Sequence, residues 1–178
     1  MITKNMKLIM AAMIVSHNGQ QIVNIPGARK TDGTNVYIGS FFTSVSYPVS
    51  YSQQVITSIT SSGIILGVGN TPATENDYTL ENPITSGFTA STPSATKGVD
   101  NNGNPYLEYA FTVTNTGSSD LTIKEIGYIQ SAYVGTTLNG SSSVGRLLLD
   151  RTVLETPVTI PSGEYAAIKY KFMLNMSA

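Results

Sequence analysis

Cysteine is missing from this 178-residue chain and histidine occurs once. The first absence excludes disulfide staples, cysteine-ligated zinc and thiol nucleophiles. The second leaves His17, in the turn-like stretch SHNGQQ, to serve any imidazole chemistry alone. A triad would need it to meet a serine and an acid, and no G-x-S-x-G elbow is present; GSSSVG has the wrong spacing. His17 reads as a solvated turn residue. Charge is scarce as well, at 12% of residues where about a quarter is usual. The net charge of -1 gives no long-range field to attract nucleic acid or an anionic membrane. There is no glycine-rich phosphate loop opening a helix and no Lys/Arg stripe with interleaved aromatics. These absences argue against an enzyme and imply no cofactor.

Helical spacing is hard to find after the first fifteen residues. MITKNMKLIMAAMIVS places Lys4 and Lys7 ahead of an apolar run from Leu8 to Val15, which imitates a secretory signal. The run is too short to span a bilayer as a helix. It is read here as a first strand or short helix packed on a core or on a neighbouring subunit.

What is present is a series of short apolar runs divided by Gly, Pro, Asn and Ser. NVYIGSFFTSV is rich in β-branched and aromatic residues, and QQVITSITSSGIILGVG reads as two strands broken near Ser62 and Gly63. In YLEYAFTVTN, Leu107, Tyr109, Phe111 and Val113 share one face, the period-two pattern of a half-buried strand. Asn102-Gly103 ahead of it predicts a tight turn, so a strand ending near Asp100 pairs with one starting at Tyr106. In LTIKEIGYIQ the apolar phase slips between Ile123 and Ile126, which predicts a bulge near Lys124 and Glu125. TTLNGSSSVG reads as a polar loop, followed by RLLLDRTVL and PVTIPSG. In EYAAIKYKFML, Ala166, Ile168, Tyr170, Phe172 and Leu174 form the inner face. Strands at about ten-residue spacing predict an all-β fold, an antiparallel β-sandwich of Ig-like or jelly-roll-like kind. Residues 61–178 form the sandwich, and the less regular residues 1–60 form an N-terminal arm or extra layer packing on the core or a neighbouring subunit.

Three features stand out against this polar background. GVGNTPATENDYTLENPI gathers Glu75, Asp77 and Glu81 between Pro72 and Pro83. These carboxylates are oxygen-ligand candidates for calcium, although the stretch lacks an EF-hand pattern. DNNGNPYLEYAF also starts like such a loop, but Pro105 stands where glycine is needed. No metal is assigned. Glu125 and Arg151 are charges within apolar runs, and such charges are rarely buried unless paired. They are expected to form a structural ion pair between neighbouring strands. SYPVSYS places Tyr47 and Tyr51 beside a proline as an edge or contact segment.

The order of these motifs resembles a group of small β-sandwich structural proteins of tailed bacteriophages. GVGNTP leads to the acidic DYTLE, then an NTG turn, IKEIG, and LLLDRTVLETPVTIPSG, over about residues 64 to 174. The resemblance implies a non-enzymatic virion protein, an auxiliary head (decoration or cement) or tail component, assembled in the host bacterial cytoplasm. Its implied partners are further copies of itself, as a homo-oligomer, and other virion proteins, with no nucleic acid and no membrane. The matching positions are Gly67, Gly69, Thr71, Pro72, Asp77, Tyr78, Leu80, Glu81, Lys124, Glu125, Ile126, Gly127, Arg151 and Gly163, none of them catalytic. The acidic stretch would be an extended connector, with Gly67 and Gly69 allowing unusual φ and its carboxylates capping amides or meeting a neighbour. The alternative is a carbohydrate- or cell-surface-binding module of an adsorption apparatus, with exposed tyrosines stacking on sugar rings.

Overall fold

The computed structural model describes residues 1–8, 25–38, 54–58, 61–135 and 142–173. Tyr47, Tyr51 and His17 lie outside the described residues. The expected all-β class is what forms: the described residues make ten strands in two sheets, with one helical turn over residues 4–8. The strands are β1 (Ile25–Arg29), β2 (Asn35–Ile38), β3 (Val55–Ile56), β4 (Gly63–Gly67), β5 (Phe88–Ala90), β6 (Ser94–Val99), β7 (Pro105–Asn115), β8 (Leu121–Gly135), β9 (Ser142–Ile160) and β10 (Tyr165–Met173). No helix among the described residues is long and apolar enough to cross a membrane.

The larger sheet has six strands and is organised around β8. Strand β9 lines one edge of β8 along its length, so β4 and β2 share the other edge. β4 takes Glu125 to Ile129 and β2 takes the end at Val134 and Gly135. β1 extends the sheet beyond β2, so residues 25–38 contribute two strands to it. The sheet is antiparallel except at its edge, where the two-residue β3 runs parallel to β4. The smaller sheet is built on β7, with β10 along one edge and β5 and β6 along the other.

β6 and β7 are joined through residues 100–104, a longer loop than the tight turn expected at Asn102-Gly103. Gly103 does adopt a left-handed φ of 83°. The loop is organised by Asp100, whose Oδ1 accepts hydrogen bonds from the amides of Asn102 and Asn104 at 2.9 and 2.8 Å.

β9 differs from the sequence expectation. RLLLDRTVL and PVTIP belong to one 19-residue strand, and Ser142 to Gly145, assigned to a polar loop, already pair with β8. The register is broken twice. Ile123 faces Val158 while Glu125 faces Val153, so residues 154–157 of β9 crowd opposite Lys124. The break falls where the phase slip placed it, but the excess residues are on the partner strand. The second break sets Ile129 opposite Leu148 and Tyr128 opposite Asp150, leaving Leu149 without a partner of its own. Such insertions re-aim the side chains beyond them.

One core joins the two sheets. Tyr109, Phe111 and Val113 of β7 and Ile168 and Tyr170 of β10 pack with Ile64, Leu66, Ile123, Ile126, Tyr128, Leu147 and Leu149 of the larger sheet. The Tyr109 and Tyr128 rings stack across this core with centroids 5.5 Å apart. Burial of such side chains supplies about 1.5–3 kcal/mol each before the entropy of ordering them is counted. On the opposite face of the larger sheet, Ile56, Ile65, Ile129 and Leu148 form a second, smaller cluster with Leu80. Leu80 comes from the acidic stretch between β4 and β5, which therefore covers the outer face.

Candidate functional site

The acidic stretch and the outer face of the larger sheet together form the most concentrated polar arrangement of the described residues. It is built around Arg151, which is 3% exposed, and Glu125, which is fully buried. Arg151 stands opposite Gly127 in the β8–β9 ladder. Its Nε donates to Glu125 Oε2 at 2.8 Å, so the pair expected from sequence is formed. Two more acids join it from the acidic stretch. Nη1 donates to Asp77 Oδ2 at 2.8 Å, and Nη2 lies 3.5 Å from Glu81 Oε2 and 3.1 Å from the carbonyl oxygen of Thr71. The planar fork of the guanidinium lets one residue hold three carboxylates, one from β8 and two from the acidic stretch, at once.

Each carboxylate also takes backbone amides. Glu125 Oε1 accepts from Gly69 N at 3.1 Å and Asn82 N at 2.8 Å, and its Oε2 accepts from Glu81 N at 3.2 Å. Glu81 accepts from the amides of Asn70 and Thr71 and from the Thr71 hydroxyl. Asp77 accepts from the Thr74 amide and hydroxyl. Burial pushes the Asp77 carboxyl up, but Arg151 and Thr74 outweigh it and hold it below its ordinary value. The Thr71 amide and hydroxyl hold Glu81 down in the same way. Burial works against the charge on Arg151, yet its bonds to Asp77 and Glu125 keep it above its ordinary value.

Gly67 and Gly69 serve this arrangement through close approach. Neither has a positive φ, which corrects the expectation of unusual backbone there. A Cβ on Gly67 would stand 2.5 Å from Glu125 Oε1 and 2.8 Å from the Asn82 carbonyl oxygen. One on Gly69 would stand 2.6 Å from Glu125 Oε1. Glu125 occupies space that only two glycines leave free. Gly127 does the same for Leu80, whose Cδ1 fills the position a Cβ would take.

The three acids of the stretch do not converge as metal ligands, which corrects the calcium candidates. Asp77 and Glu81 turn to Arg151, while Glu75 pairs with Lys7 at 2.8 Å, and Lys7 holds its carboxyl below the ordinary value. Among the described residues no group of three or more acids or histidines is placed to hold a metal ion. Tyr78 lies under Arg29, whose guanidinium carbon is 3.8 Å from the ring centroid. The acidic stretch thus rests on three cations from three elements: Lys7, Arg29 and Arg151. Pro72 is exposed within it, and Pro83 bridges to Gly67 at its end.

Sequence reasoning missed Lys7 and Arg29, whose partners lie more than 45 residues away along the chain. It also missed Asp150. The unpaired Leu149 precedes Asp150 and sends it to the inner core, where Tyr170 donates to its Oδ2 at 2.5 Å and Thr152 at 3.1 Å. Burial, then the Asp150 charge, raises the Tyr170 hydroxyl well above its ordinary value. The Leu-Leu-Leu-Asp run carried the same signal that singled out Arg151, a charge among apolar neighbours. Residues 1–5 close the edge of β9 nearby: Thr3 Oγ1 donates to the Leu148 carbonyl at 2.6 Å, and Asn5 Nδ2 to those of Arg29 and Leu148.

An open groove of about 780 Å³ lies between residues 1–7, the acidic stretch and the end of β10. Its size suits a small molecule. Its charged groups are already engaged, however: Lys7 with Glu75, Asp150 with Tyr170, and Lys171 over the Tyr106 ring at 3.8 Å. The chemical capacity of the Arg151 cluster is to fasten a loop to a sheet. No protein-family model, curated protein or solved structure matches this chain.

Proposed function

We propose that this chain is a non-enzymatic structural protein of a tailed-phage particle, an auxiliary head or tail component acting through contacts with its own copies and other virion proteins. The two sheets packed on one core are then a β-sandwich of the Ig-like or jelly-roll-like kind, and residues 25–38 and 55–56 contribute three strands of its larger sheet. The observation that carries the reading is the convergence of nine of the fourteen motif residues. Gly67, Gly69, Thr71, Asp77, Leu80, Glu81, Glu125, Gly127 and Arg151 are spread over 85 residues of sequence, yet they meet in one fastening on one sheet face. Their polar groups are spent on each other and on backbone amides, an arrangement suited to building a shape. The low charge of the chain also suits a subunit that buries surface against neighbours.

The test is the mass of the purified protein in solution by light scattering, with and without a calcium chelator. A trimeric or ring-sized mass unchanged by chelation supports the reading. A monomer that binds on a glycan array overturns it in favour of a surface-binding module. Incorporation into particles gives a second check: a folded protein that is never incorporated overturns the reading.

A further inference from the structure

The outer face of the larger sheet is covered by a loop whose ends nearly touch. Val68 N donates to the Asn82 carbonyl at 2.9 Å, Ile84 N to that of Leu66 at 2.8 Å, and Gly67 bridges to Pro83. Beyond this neck, residues 69–81 form a compact loop of the Ω kind. Its amides at Gly69, Asn70, Thr71, Thr74 and Glu81 are taken by carboxylates. Leu80 is its only fully buried apolar side chain. That leucine belongs to the five-residue outer cluster and has no place in the core shared by the two sheets.

A segment with few buried apolar contacts and side-chain-dependent backbone bonds opens at lower free energy than the body it covers. We infer that residues 69–81 are a charge-fastened cover that opens as a unit about the neck, bares Ile65, Ile129 and Leu148, and leaves both sheets folded. The fastening has three points. Arg151 is faced by Asp77 and Glu81 from the loop and by Glu125 from β8. Tyr78 is faced by Arg29 of β1. Glu75 is faced by Lys7, and its carbonyl accepts from Lys4 N at 2.6 Å. Asp77 and Glu81 are therefore the loop's charged share of its largest attachment, beside the Thr71 carbonyl on Arg151 and the Gly69 and Glu81 amides on Glu125. The inference stands apart from the virion reading, and either can fail alone.

The absence of cysteine makes the test direct, because one introduced thiol is the only one in the chain. Leu148→Cys places it beneath the cover, and Val113→Cys places it in the shared core; both sites are fully buried. Each is labelled with a maleimide at pH 7, alone and combined with Asp77→Asn and Glu81→Gln. The expected result is labelling at Leu148→Cys faster by about tenfold or more in the combined variant, with Val113→Cys unchanged. Equal acceleration at both thiols, which a variant that fails to fold would also give, overturns the cover as a separate unit. Acceleration at neither shows that the charges do not fasten it, which equally overturns the inference.

Discussion

On its inner face the larger sheet meets Phe111, Val113, Ile168 and Tyr170; on its outer face it meets Leu80 and the acids that ring its own Arg151. The inner seal is non-directional and tolerates modest changes of shape. The outer seal is directional: Arg151 and Glu125 have been taken out of water, and their mutual attraction repays that only while every partner stays in place. A buried ion pair is thus weak support for net stability but a strong point of failure. The same sheet is held on one side by area and on the other by geometry.

The largest test of that contrast is Glu125→Ala. It leaves Arg151 buried beside a void and strips acceptors from the amides of Gly69, Glu81 and Asn82. A loss of about 3–5 kcal/mol in urea unfolding is expected, as large as removal of an aromatic ring such as Phe111 from the inner core. A loss under about 1 kcal/mol would mean that water reaches Arg151 at little cost, and the contrast would collapse.

Gly67→Ala should cost less, about 1–3 kcal/mol, because the methyl group meets both the Glu125 carboxylate and the Asn82 backbone. Unchanged stability would show that Glu125 has another place to go.

Acid gives a smaller and graded effect. Asp77 and Glu81 are held below their ordinary values of 3.8 and 4.5. A carboxyl lowered in the folded state binds its proton later there than in the unfolded chain. The stability it adds is therefore full above the ordinary value and is lost as pH falls through the lowered one. Thermal midpoints should be flat from pH 7 to about 5 and then decline, with a shallower decline in Asp77→Asn. An equally steep acid limb in that variant would assign the loss to other carboxylates.

Lys7→Ala is expected to do least. The Lys7–Glu75 pair is more than half exposed on both sides, and exposed pairs are screened by salt. No resolvable shift in midpoint is expected at 0.15 M salt, whereas a clear one would place the outer seal's strength in its rim.

Much of this molecule was legible locally. The alternation from Leu107 to Val113 and from Ala166 to Tyr170 marks the strands of the smaller sheet, because side-chain direction in a strand follows from period two alone. The slip between Ile123 and Ile126 marks a register break for the same reason. The Glu125–Arg151 pair was legible from the cost of burying a lone charge. The union of RLLLDRTVL with PVTIP was hidden, since Pro157 and the exposed residues before it resemble a turn until β8 is there to pair on both sides of them.

The sequence by itself determined that the chain folds as β structure, which runs have a core face, and that Glu125 and Arg151 need partners. Those are consequences of local pattern and of desolvation. Only the tertiary structure decided that Asp77 and Glu81 complete the pair, that Asp150 turns inward while Arg151 turns outward, and that Gly67, Gly69 and Gly127 are empty for the sake of Glu125 and Leu80. These depend on which residues of one strand stand opposite a break in another, and on the space left between backbones. Both are set by pairing over distances that no local pattern reports.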